Sequence, residues 1–128
     1  MTPPTDTALT RATVAVACGH LALALLTAFD RAGFGRRSPG VIPDAADHPL
    51  WIPAHLVVAL CVLAAVACRQ WRMVALAAST GVLVGWSLLM GVWAIQLDPD
   101  ATWAVTALGL TLGAVAFALS GLWADRED

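Results

Sequence analysis

The sequence predicts an all-α protein: a four-helix transmembrane bundle, antiparallel and up-down-up-down, forming one domain over residues 1–128. Three observations carry this. Hydrophobic residues make up 59% of the 128 and charged residues 12%, whereas a soluble domain carries roughly 25% charge. Four apolar stretches, 12–29, 50–68, 73–97 and 101–124, are each about 18–25 residues long. About 20 apolar residues cross a ~30 Å hydrocarbon core, and none of the stretches alternates as a barrel strand would. Finally, tryptophans mark the ends. Trp51 and Trp103 open the second and fourth stretches, and Trp71 and Trp123 lie near the opposite ends, the belt expected where an amphipathic ring meets headgroups.

The first helix follows Arg11 and stops at Asp30, Arg31 and Gly33. Residues 27–30 offer no small-x-small cleavage site, so the stretch reads as a retained span rather than a signal peptide. Gly33, Gly35, Pro39, Gly40 and Pro43 then make an irregular loop up to His48. Pro49 and Pro53 fall at the start of the second helix, where a missing N–H does no harm. Arg69, Gln70, Trp71 and Arg72 form a short polar hinge. Asp98, Pro99 and Asp100 supply a cap, a first-turn proline and an acid favoured by the helix dipole. The fourth helix therefore starts as soon as the third ends, which predicts a tight antiparallel hairpin. Two arginines on a short hinge between spans place that hinge in the cytoplasm of a cell-membrane protein, and both termini with it.

Each helix carries a line of small or polar residues at helical spacing. The lines are Thr13, Ala17, His20, Ala24 and Thr27; Ala54, Val58, Cys61, Ala65 and Cys68; Ala77, Gly81 and Gly85, with Thr80 and Ser87 beside them; and Thr106, Gly109, Gly113 and Ser120. Lipid tails are as apolar as leucine, so helices associate by close backbone approach and interhelical hydrogen bonds, and both need such residues. Gly81-x-x-x-Gly85 and Gly109-x-x-x-Gly113 are small-xxx-small motifs. One bundle cannot turn all these lines inward. Gly81 and Gly85 are expected to face outward for self-association or a membrane partner, with Trp86 and Trp93 near that surface.

The chemistry-bearing residues are few. His20 is the one ionisable side chain deep in a span, either packed as a neutral imidazole or functional. His48 and His55 flank Pro49 and Pro53 and form a candidate metal pair on the loop side. A haem between His20 and His55 needs both at one depth. His20 lies roughly 14 Å below Phe29 and His55 roughly 7 Å below Leu50 by helix rise, so the two are expected to be mismatched. Cys18, Cys61 and Cys68 lie within apolar runs and read as free thiols. No phosphate loop, Cys-x-x-Cys, His-Glu-x-x-His or Gly-x-Ser-x-Gly is present, and no carboxylate lies within a span, so neither an enzyme nor a cofactor is expected. The net charge of −2 with no basic block argues against a nucleic-acid partner.

The layout resembles small four-span membrane proteins of actinobacteria and their phages, some of them holin-like members of lysis cassettes. The residues that carry the likeness are 48–53 with Trp51, the Gly85–Trp86 pair and 97–102, and it covers most of 50–120. The chain departs from holins in its end, Asp125, Arg126, Glu127 and Asp128, where a basic tail is common. The resemblance implies a lesion former that assembles in the bilayer. The residues leave two further classes open: an accessory subunit of a larger membrane complex, and a haem- or metal-binding protein built on His20, His48 and His55.

Overall fold

A computed structural model describes residues 6–31, 49–97 and 100–126. Its order is α1 (Asp6–Arg31), α2 (Trp51–Ala67), a single 3-10 turn (Arg69–Trp71), α3 (Arg72–Leu97) and α4 (Asp100–Ala124). The chain is an all-α four-helix bundle. The expected loop before His48, the Asp98 and Pro99 start of the hairpin, and the side chain of Trp93 lie outside the described residues.

The helix limits follow local chemistry. α1 begins earlier than the apolar stretch suggests, at Asp6, an acid at the positive end of the helix dipole. α2 is shorter than expected: Pro49 and Leu50 form a turn, and Pro53 sits in the first helical turn. At its other end Cys68 is extended, its N–H donating to the Ala64 carbonyl at 3.0 Å. α1, α3 and α4 each contain a segment long and apolar enough to cross a membrane, namely Asp6–Phe29, Arg72–Val92 and Trp103–Ala124. α2, with 17 residues, is about 26 Å long.

α3 packs on α4, α1 on α2, and the two pairs close through α2–α3 and α1–α4 contacts. A Cβ built on Gly113 would meet Val84 Cγ2 at 3.0 Å and Leu83 Cβ at 3.5 Å; one on Gly109 would overlap the Ser87 hydroxyl; one on Gly91 would meet Thr106 Cγ2 at 3.5 Å. The partners descend on α3 as they rise on α4, so these two helices run antiparallel. Their backbones approach because Gly109 and Gly113 have no side chain.

Gly81 and Gly85 behave in the opposite way, with no atom within 4 Å of an added Cβ. The inward face of α3 is Leu76, Ser79, Leu83, Trp86 and Met90, all completely buried. A second glycine stripe facing the first would leave a void, and protein interiors are close-packed. Trp86 supplies the volume instead. It therefore lies in the core, not beside the outward glycines as the sequence suggests. α2 is likewise turned from the expected line: His55, Val58, Ala59, Val62 and Ala65 are buried, while Cys61 and Cys68 are exposed. On α1 the expected line of Thr13, Ala17, His20, Ala24 and Thr27 is the buried one.

A network at one end ties all four helices. The Arg72 guanidinium donates to the Ala65 and Val66 carbonyls of α2, at 3.0 and 2.7 Å, satisfying acceptors a helix end leaves open. Its Cζ stands 4.2 Å from the centroid of the Trp123 ring, a cation–π distance. Trp123 Nε1 donates to Thr13 Oγ1 at 3.2 Å, and Thr13 donates to the Leu9 carbonyl at 2.8 Å. Trp123 is thus buried by its hydrogen bond and its cation, and leaves the interfacial belt expected of it. Trp71 and Trp103 remain exposed. An Arg126–Asp6 ion pair joins the ends of α4 and α1.

The two glycine stripes should respond differently to bulk. Gly113→Leu drives a branched side chain into Val84 and should destabilise the bundle by about 1–3 kcal/mol, as overpacking does. Gly81→Leu should leave stability within about 1 kcal/mol of wild type or raise it by helix propensity. Denaturant unfolding in detergent micelles measures both; equal losses would contradict the packing.

Candidate functional site: a buried histidine pair

The bundle interior has two apolar clusters. One contains Val16, Ala17, Val62, Leu76 and Ala116 and reaches Trp123. The other contains Leu23, Leu83, Trp86 and Met90. Between them lies a polar layer drawn from three of the helices: His20 on α1, His55 on α2 and Ser79 on α3, all completely buried.

These three side chains make one hydrogen-bonded chain across three helices. His20 Nδ1 and His55 Nδ1 lie 2.8 Å apart, and His20 Nε2 lies 2.8 Å from Ser79 Oγ. One histidine must donate its Nδ1 proton to the other. If His20 donates, its Nε2 is bare and accepts from the Ser79 hydroxyl. If His55 donates, His20 Nε2 carries a proton and donates to Ser79 Oγ. Both arrangements are consistent, and both leave His55 Nε2 as the end of the chain. That nitrogen is buried with no hydrogen-bond partner among the described residues.

Aromatic rings enclose that end. The Trp86 ring is perpendicular to His55, with centroids 5.4 Å apart. Trp51, one turn earlier on α2, lies at 6.3 Å and 36°. The two imidazoles are 5.1 Å apart and tilted by 48°. The layer is compact because small side chains flank it: Ala17 and Ala24 on α1 and Ala59 on α2 are buried and let the histidine-bearing helices approach.

The depth mismatch read from the sequence is therefore corrected: the two rings touch. The error came from treating Phe29 and Leu50 as level. α1 continues to Arg31 and α2 starts at Trp51, so α1 projects roughly 10 Å past the start of α2 by helix rise. The same contact bears on haem. Two axial imidazoles need nitrogens about 4 Å apart, at metal–nitrogen distances near 2 Å, with the macrocycle between the rings. A 2.8 Å contact leaves no space for it. The His48 and His55 metal pair falls partly outside the described residues, which do not include His48. His55 itself points its Nδ1 at His20, and among the described residues no three His, Cys, Asp or Glu side chains converge as a metal site would need.

Ser79 was not singled out by sequence, since a serine on an apolar helix is unremarkable until its neighbour is known. Thr27, like Thr13, donates to the carbonyl one turn back, from Oγ1 to the Leu23 oxygen at 2.8 Å. Both hydroxyl donors are thus used within α1, while Thr13 Oγ1 also accepts from Trp123 of α4. The chain matches no protein-family model, no curated protein and no solved structure in the comparisons made.

The pair should show a non-additive cycle. His20→Leu or His55→Leu alone strands the remaining imidazole and should cost about 1–3 kcal/mol, the penalty for an unpaired buried polar group. The double variant removes both and should cost less than the sum of the two. Unfolding of the four proteins in one detergent gives the coupling energy; additive losses would mean that the contact contributes nothing.

Proposed function

We propose that the chain is a small, non-enzymatic integral membrane protein that crosses the bilayer four times and works by assembling there through the outward face of α3. The observation that carries this is an inverted partition of side chains. The buried polar residues are Thr13, His20, Thr27, His55, Ser79, Ser87 and Thr106, while Ile95 is 74% exposed, Phe117 70% and Leu60 64%. A soluble bundle does the reverse. Intramembrane polar groups characteristically turn toward the bundle interior.

α2 is the short crossing. At about 26 Å it falls slightly below a ~30 Å core, a mismatch a bilayer absorbs by local thinning. The arginines at 69 and 72 support a cytoplasmic hinge and cytoplasmic termini.

The α3 face is a surface shaped for another helix. Ala77, Gly81 and Gly85 repeat every four residues there, with Ala77 and Gly81 exposed and space above both glycines. Two grooves flank its Ala77 end. One of about 370 Å³ is lined by Cys61, Cys68, Val74 and Ala78 of α2 and α3. The other, about 410 Å³, is lined by Met73, Ala77, Phe117 and Gly121 of α3 and α4. A small-residue ridge between two grooves admits a neighbouring helix closely, a second copy of this chain in the simplest case. The outward hydroxyls on these helices are already used locally: Thr80 donates to Leu76 and Thr111 to Ala107, both to carbonyls of their own helix. That favours assembly by packing over a water-lined lesion of the holin type.

Carbonate washing of membranes should leave the protein in the pellet. Crosslinking in native membranes should yield a dimer or higher ladder. Gly85→Leu should reduce that ladder about 5- to 30-fold, at about 1–2 kcal/mol for the lost contact, without loss of the folded monomer. A monomeric wild type would end this reading. So would a ladder that survives Gly85→Leu and disappears in a Gly113→Leu protein that is still folded.

A further inference from the structure

We propose that His20 and His55 together form a single-proton acceptor in the bundle core, loaded through His55 Nε2 from the Trp51 end. The argument is a count of hydrogens. Two neutral imidazoles carry two ring protons. One lies between the Nδ1 atoms, because a 2.8 Å gap holds one hydrogen and not two. When His55 supplies it, the second proton is on His20 Nε2, directed at Ser79 Oγ, and His55 Nε2 is a bare lone pair. A third proton then has one place to go. It is taken from hydronium, leaving water, and forms an N–H bond at His55 Nε2. No existing hydrogen bond breaks, and the central one becomes charge-assisted, which makes it shorter and stronger. A fourth proton would set two N–H groups against each other and part the rings. The capacity of the pair is therefore one.

The surroundings define how that charge is held and where it enters. Among the described residues, the polar groups of the interior are hydroxyls: Thr13 and Thr27 on α1, Ser79 and Ser87 on α3, and Thr106 on α4. α2 contributes only His55. Arg72, Arg126 and Asp6 stand at the far end of the bundle, in the network around Trp123. The rings that meet a positive His55 are Trp86, perpendicular to it at 5.4 Å between centroids, and Trp51 at 6.3 Å. His55 is one turn, about 6 Å of helix rise, from Trp51 at the head of α2. Apolar clusters flank the pair on both sides, Val16, Val62 and Leu76 toward Trp123 and Leu23, Leu83 and Met90 toward Trp51. The shorter way out is the single turn of α2 past Trp51, and that is the route assigned to exchange. Uptake strengthens the hydrogen bond that joins α1 to α2, so the load state of the pair sets how firmly these helices are held.

The full chain, labelled with 15N at histidine and placed in lipid bilayers, tests this by solid-state NMR as the bulk is acidified. The expected result is one proton gained per chain in a single step that moves both Nδ1 signals together. His20→Gln and His55→Gln should each abolish the joint step, since an amide hydrogen-bonds without taking a proton. Trp51→Ala should speed exchange of the His55 Nε2 proton with water several-fold. Two imidazoles that titrate independently, or that gain no proton while the bundle remains folded, would overturn the acceptor. Unchanged exchange in Trp51→Ala would overturn the loading route. If a histidine variant fails to fold, the wild-type titration alone decides between one shared proton and two separate ones.

Discussion

A polar side chain buried among apolar ones has to find its partner inside the protein, and the interior of this bundle is arranged around that constraint. His20 is the pivot. It meets His55 from α2 with one nitrogen and Ser79 from α3 with the other, so its two hydrogen bonds set the relative depth and rotation of three helices. Turning α2 by a single residue would bring Cys61 inward and carry His55 out of the core. The apolar clusters above and below could fill their space in several ways, because methyl groups are tolerant of exchange. The histidine pair is directional and admits one register.

The second determinant is the close approach of α4 to α3. Gly109 and Gly113 remove the side chains that would hold these helices apart, and the volume is returned by Trp86, Leu83 and Met90 from the facing helix. Trp86 thereby serves two parts of the structure at once. It fills the gap left by the glycines and it encloses the buried end of His55. The packing of α3 on α4 and the environment of the histidine pair are consequently coupled through one ring.

Charge is kept to the ends. Arg72 shows how a cation at the edge of an apolar bundle is accommodated: its donors go to open carbonyls at the end of α2 and its face to Trp123. This fastens the end opposite Trp51, while the histidine layer lies close to the Trp51 end. The outward surface of α3 takes no part in either arrangement, and there the proposed assembly face lies. The glycine stripe that packs the hairpin and the stripe proposed for assembly are thus different ones.

Composition and period alone determined the all-α class, the four helices and their approximate limits, because apolar length and proline or glycine punctuation are local properties. Read from sequence, Gly81 and Gly85 turn outward on the ground that Trp86 lies beside them, and Trp86 is in the core; which glycine stripe packs on the neighbouring helix was decided by the tertiary contacts of Gly109 and Gly113. The buried line of α1 was legible because Thr13, His20 and Thr27 are conspicuous against alanine and leucine. The faces of α2 and α3 were not, because small residues occur on more than one side of each and their hydrophobicity does not distinguish lipid from core. The pairing of His20 with His55 and Ser79 was decided only by tertiary structure. It depends on the stagger of α1 against α2, which is a relation between helices and leaves no mark in the spacing of 35 and 59 residues that separates His20 from its partners.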